Sequence, residues 1–252
     1  MARRIAALAA IGLLALATIC LLSSFVLGVS PLDLSMPVFE PDSTPEEAVR
    51  RSVCAQGVPR NFRVHGTRSW ERGVIVLFSA DCPSPPDAPI PEPEIPVSGF
   101  RLLQDGLFGW RVVIVGSAAD GKEARSGQLV SYRPGGGRGG RLGSYGYVSG
   151  RVLAPDKVRA VEAIFDNGRV MRDDAPGELF ALFSLGTGGP CELRTLDKDG
   201  RILQRFDLVG EARRFGEINP ELATMESGGW GGVSMASPEL CRKHRKASDR
   251  AK

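Results

Sequence analysis

One N-terminal transmembrane helix followed by a mainly β body is the fold class this sequence predicts, the body being a small α+β module and then an antiparallel β-sandwich. Three observations carry the expectation. Ile5 to Val29 is an uncharged, almost wholly apolar run behind the basic start Met1-Ala2-Arg3-Arg4. A capped helix signal at Thr44 precedes apolar stretches that pair as two hairpins. From Tyr145 onward short apolar stretches alternate with turn residues about every eight to twelve positions, the spacing of a sandwich.

A lipid core offers no water to backbone groups, so a spanning segment is a helix of roughly 20 apolar residues. Residues 5–29 reach ~37 Å at about 1.5 Å per residue, more than the ~30 Å hydrocarbon thickness. A cleaved signal peptide has an apolar region of only ~7 to 15 residues and a small-x-small cleavage site. Here the run is longer, and Gly28-Val29-Ser30 is followed at once by Pro31. The expectation is therefore an uncleaved signal anchor; cleavage would make the protein secreted. Arg3 and Arg4 hold residues 1–4 in the cytoplasm, which places everything after Ser30 outside. Cys20 follows Ala17-Thr18-Ile19, without the small residue that precedes a lipidated cysteine. Gly12, Ala15 and Ala17 leave the anchor able to pack closely on another helix, as in an accessory subunit of a membrane complex.

The formal charge of +3 is concentrated at one end. Arg242 to Lys252 holds six Lys or Arg against one Asp, net +5, so the remainder is −2. Nothing in that distribution makes a nucleic-acid-binding face. Suitable counterions for the tail are the membrane bilayer, an envelope protein or an anionic envelope polymer. Apart from Cys20 there are Cys54, Cys82, Cys191 and Cys241, an even set that in an exported chain reads as two disulfides. Three pairings are open; proximity favours Cys54 with Cys82 and Cys191 with Cys241, and four buried thiols are the alternative. No Cys-x-x-Cys or His-rich spacing points to a metal, and no motif points to a cofactor.

Residues 30–42 contain Pro31, Pro37 and Pro41 and read as a stalk. Thr44-Pro45-Glu46-Glu47 supplies a cap, a first-turn proline and an acidic first turn; Ala48, Val49, Ser52 and Val53 form a narrow face, and Gly57 with Pro59 stops the helix. Asn61 to Trp70 and Val74 to Ala80 read as one hairpin, Phe100 to Gln104 and Trp110 to Val115 as a second. Between them the loop 82–97 is so rich in proline that it reads as an exposed excursion unable to pair in a sheet. This module, 43–132, resembles the small helix-plus-sheet domains of the cystatin and NTF2-like type. Residues 133–144, with Pro-Gly-Gly-Gly-Arg-Gly-Gly-Arg-Leu-Gly at their heart, read as a linker. In 145–208 six strands follow: Tyr147 to Leu153, Val158 to Phe165, Arg169 to Arg172, Leu179 to Ser184, Glu192 to Leu196 and Arg201 to Phe206. Residues 209–252 read as an arm ending in a disordered basic tail.

Ser-Gly-Arg-Val, then Val-Glu-Ala-Ile-Phe-Asp-Asn-Gly, Glu-Leu-Phe-Ala-Leu and Leu-Asp-Lys-Asp-Gly-Arg-Ile-Leu are similar to Ig-like β-sandwich modules of exported, membrane-anchored bacterial proteins of unassigned function. The resemblance spans Tyr145 to Leu208. It implies a fold and a location in the bacterial envelope, with no catalytic residue to carry over.

Chemistry has few carriers. His65 and His244 are the two histidines; a hydrolase reading would set His65 beside Ser149 or Ser234, neither of which lies between the glycines of a nucleophile elbow. Asp197-Lys198-Asp199-Gly200 opens like a calcium loop, but its twelfth position is Leu208, so a hairpin turn accounts for it, as a solvated loop does for Asp173-Asp174. The expectation is thus an extracytoplasmic binding or scaffold protein without an assigned catalytic, cofactor or metal residue.

Overall fold

A computed structural model describes residues 44–70, 72–84, 94–106, 109–119, 126–139, 142–210 and 236–250. The expected membrane span, the stalk, Ser234 and the glycines around Trp230 lie outside them. Among the described residues no helix is long and apolar enough to cross a membrane.

Local chemistry starts the body. Helix α1, Pro45–Ser52, begins where the Thr44 hydroxyl accepts from the Glu47 amide at 3.3 Å. Pro45 fills the first turn, where an amide would have no partner, and Arg50 and Arg51 sit at the negative end of the helix. Eight residues cannot hold a helix alone, so stability comes from burying Ala48 and Val49 on Val76, Phe78 and Leu103. Those three belong to an antiparallel meander of β1 (Arg60–Trp70), β2 (Gly73–Pro83), β3 (Glu94–Gly106) and β4 (Gly109–Ser117), in spatial order β1-β2-β3-β4.

The proline-rich stretch pairs further than expected. Pro96 faces Asp81 and Pro83 faces Glu94, so only residues 85–93 stay outside the description. Pairing with β4 ends at Gly99↔Ser117, so among the described residues Pro96 has a strand neighbour on one side only, and a missing N–H there need not break a ladder bond.

The later strands are β5 (Val130–Gly139), β6 (Gly143–Val152), β7 (Ala160–Phe165), β8 (Val170–Asp173), β9 (Leu179–Leu185), β10 (Pro190–Leu196) and β11 (Ile202–Asp207). They form two antiparallel sheets, β5-β6-β9 and β11-β10-β7-β8. The glycine-rich segment expected to be a linker is β5 itself, paired with β6 from Val130↔Val152 to Gly139↔Gly143. Tyr147 and Tyr145 explain it. They stand opposite Gly135 and Gly137, and their rings lie over the bare backbone: a Cβ on Gly135 would come within 2.3 Å of the Tyr147 ring. Cross-strand aromatics thus supply the packing that glycine lacks. Burial pushes the Tyr147 phenol above its usual range, as does Tyr145 beside it, with Arg133 opposing them.

The three sheets stack with β5-β6-β9 in the middle. Alternation along β9 makes this possible: Leu179, Ala181 and Phe183 pack with Ile75, Leu77, Phe100 and Leu102 of the first sheet, while Phe180 and Leu182 pack with Val161, Ala163, Leu193 and Phe206 of the third. Asp42–Lys252 is one compact unit. The basic C-terminal segment expected to be disordered is helix α2, Pro238–Arg250. It docks through a disulfide and ion pairs, which leave no apolar periodicity for sequence reading to find.

Candidate functional site

The cysteines are the first predicted residues to be placed. Cys54 is bridged to Cys82 with Cα atoms 5.5 Å apart, and Cys191 to Cys241 at 5.3 Å. The first bridge fixes the chain leaving α1 to the far end of β2. Beside it an open cavity of about 430 Å³ is lined by Val58, Pro59, Arg60, Pro83 and Glu94, and the Arg60–Glu94 ion pair, at 2.8 Å, neutralises its two charges against each other. The second bridge is buried and holds α2 on the outer sheet, with Ala236 packed against it.

Around α2 the polar contacts are dense. Asp166, at the end of β7, accepts from the Thr187 hydroxyl, the Gly188 amide at 2.9 Å and the Ser237 amide at 3.1 Å, tying the start of α2 to two loops. Arg245 donates to the Cys191 carbonyl at 2.9 Å and to Asp207, and lies 3.6 Å from Glu192. Glu192 in turn pairs with Arg194, a fully buried arginine that also pairs with Glu162 at 3.3 Å. Burial pushes the Asp207 carboxyl up, but the Arg245 hydrogen bond and the amides of Gly210 and Val209 outweigh it and hold the group below the usual carboxylate range. Arg245 is thus consumed inward, whereas Arg242 and Lys243 are exposed beside Leu240, which is 43% exposed. The result is a tethered helix that, among its described side chains, shows Arg242, Lys243 and Leu240 to its surroundings.

Of the two serines foreseen as partners of His65, Ser234 lies outside the described residues and Ser149 is taken up elsewhere. Ser149 is buried and donates to the Ser117 carbonyl at 2.9 Å, so it is a link between sheets. His65 instead meets Ser79: Nε2 and Oγ are 2.8 Å apart. Its Nδ1 lies 3.5 Å from Glu178 Oε2. Three segments build this cluster. The β1–β2 ladder shifts register between Val64 and Gly66, leaving His65 as an extra residue at a bulge that re-aims its ring. Ser79 sits on β2 opposite Arg63 and Ser98. Glu178 ends the turn before β9, a turn held to β1 by Arg68, which donates to Asp173 at 3.3 Å and to the Ala175 carbonyl at 2.6 Å. Ser79 could have been read from the hairpin register to within a residue; Glu178 had no signal near it in the chain.

His244 packs on the β7–β8 turn, where a Cβ on Gly168 would lie 2.7 Å from its ring. Asp197 makes the hairpin turn expected of it, its Oδ1 accepting from the amides of Asp199 at 2.9 Å and Arg201 at 2.8 Å. Among the described residues no three His, Cys, Asp or Glu side chains gather as metal ligands. Comparison of the chain with protein-family models, with curated proteins and with solved structures finds no match in any of the three.

Proposed function

We propose that this chain is a single-pass, membrane-anchored extracytoplasmic protein that works by binding, with α2 as its contact with an anionic membrane surface. The observation that carries the reading is the Cys191–Cys241 bridge, which fixes a basic helix to the outer sheet with Arg242, Lys243 and Leu240 turned outward. Two disulfides suit the oxidising side of a membrane, the side on which the apolar run at residues 5–29 and its flanking arginines put the body. An exposed leucine among cations suits a lipid interface better than a soluble polyanion, and each basic residue near anionic headgroups contributes about 1 kcal/mol.

The Ig-like reading of the second half is supported by its strand order. The first, second and fifth of seven strands (β5, β6, β9) face the third, fourth, sixth and seventh (β7, β8, β10, β11), which is the Ig arrangement with its fourth strand moved across. Such modules bind more often through surfaces than through pockets.

The test uses the full chain in nanodiscs. In discs of anionic lipid the amides of α2 exchange more slowly than in zwitterionic discs, and Arg242→Glu with Lys243→Glu removes the difference. Equal exchange in both lipids overturns the membrane contact. Protease added outside spheroplasts digests the body; digestion only from the cytoplasmic side overturns the topology.

A further inference from the structure

Beyond that binding role, we propose that Ser79, His65 and Glu178 form a nucleophile site that accepts and hydrolyses small acyl esters. Nucleophilic serines are weak until a base takes their proton, and the base works when a third group fixes its tautomer. Both partners stand beside the His65 ring. The Ser79 hydroxyl lies 2.8 Å from His65 Nε2, and Glu178 lies 3.5 Å from Nδ1. With the proton on Nδ1, the ring faces Glu178 with a donor and Ser79 with a lone pair.

The surroundings fit the chemistry. The His65 side chain is 18% exposed, buried enough to be held yet open to substrate, while Glu178 is 65% exposed at the rim. Arg63, the cross-strand partner of Ser79, shares its face and carries an exposed guanidinium, which suits it to meet a developing oxyanion. Ser98 stands opposite Ser79 on the other side, so the strip is polar and suits a short acyl group. A histidine that only filled space would not need the bulge that turns it onto Ser79.

The reaction balances with solvent water alone. Ser79 Oγ bonds to the acyl carbon as its proton passes to His65 Nε2. The bond to the leaving alkoxide breaks, and the alkoxide takes that proton. Water then attacks the acyl-serine by the same route, His65 taking and returning a proton, to release a carboxylic acid and free Ser79. His65 and Ser79 are the catalytic residues; Glu178 is a positioning residue.

The experiment treats the detergent-solubilised full chain with a fluorophosphonate probe and maps the label by mass spectrometry. Ser79 is labelled, and Ser79→Ala abolishes labelling. His65→Ala slows it about 10²- to 10⁴-fold, the range of a general base. His65→Gln, which keeps a hydrogen-bonding side chain but cannot take a proton, slows it as much with both disulfides intact. Glu178→Gln slows it less and shifts the His65 ring away from the Nδ1-protonated tautomer seen by nitrogen NMR. No label on Ser79, a label indifferent to His65→Gln, or a tautomer indifferent to Glu178→Gln overturns the assignment. Because Ser79→Ala leaves α2 untouched, its lipid-dependent exchange separates failure of this site from failure of the binding role.

Discussion

Gly150 lies in β6 with β5 on one side and β9 on the other, and a Cβ there would stand 1.9 Å from the Ser131 carbonyl oxygen and 2.9 Å from the Phe180 ring. Backbone cannot step aside in the middle of a sheet, so Gly150→Ala costs on the order of 1–3 kcal/mol or more in urea unfolding. Gly137→Ala meets only the far end of Tyr145, at 2.9 Å, and is milder; equal costs would refute the distinction. Arg101 makes the opposite case, a buried charge that is expected to be replaceable by an apolar side chain of similar length. It is 6% exposed, lies 4.7 Å over the Phe78 ring and donates to the carbonyls of Phe100 and Ser52, with its Nε unpartnered. Burial pushes its pKa down to about 10. Below that pH the guanidinium is charged in both folded and unfolded chains, so folding carries the desolvation cost, which fades only as pH rises through 10 toward the ordinary arginine range of the unfolded chain. Arg101→Met therefore leaves stability at neutral pH within about 1 kcal/mol or raises it, whereas Arg101→Ala loses the packing of the stem and costs about 2 kcal/mol or more. A large loss for Met would mean that the carbonyl contacts outweigh desolvation.

Helix α2 depends on a covalent bond where α1 depends on sequence-encoded caps. The Cys191–Cys241 bridge spans 50 residues, and replacing both cysteines by alanine is expected to cost about 4 kcal/mol on the chain-entropy estimate. In that variant the Arg245–Asp207 pair is among the contacts left to hold the helix. Asp207 has a depressed folded pKa, so its contribution is present above the ordinary carboxylate range and is lost as pH falls through the folded value. Acidification thus frees the α2 amides to exchange in the double-alanine variant and leaves them protected with the bridge intact; pH-independent protection would assign the docking elsewhere. The same contrast explains what was legible. Thr44, Pro45 and Glu47 announce α1 because caps are local chemistry, and Asp197 announces its turn for the same reason. Strand β5 was hidden because its glycines look structureless until Tyr145 and Tyr147 lie over them. The cluster at His65 was half legible: the histidine stood out and Ser79 follows from hairpin register, but Glu178 is brought in by the stacking of sheets.

At the scale of the molecule, composition suggests two modules, while the packing runs apolar contacts from the first sheet through the central one to the third. A glycine-rich break looks like a boundary when only local order is read, yet boundaries are set by where apolar faces are satisfied, and β9 satisfies two sheets at once. Phe183 is the residue on which this turns. It is 4% exposed, meets the Trp70 ring edge-on at 5.3 Å and lies 5.8 Å from the Tyr145 ring. If the first sheet were an independent module, thermal unfolding would show two transitions, and Phe183→Ala would weaken only their contact. If the stack is one cooperative unit, a single calorimetric transition is expected, with van't Hoff and calorimetric enthalpies equal. Phe183→Ala then costs about 3–5 kcal/mol and lowers it as a whole. Hydrogen exchange gives the decisive measurement. Amides of β2 and of β10, on opposite outer sheets, should lose the same protection in Phe183→Ala, although of these two only the first sheet shares a core cluster with that ring. Loss confined to β2, with β10 unchanged, would restore the two-module reading and make the central sheet a partner of the third alone.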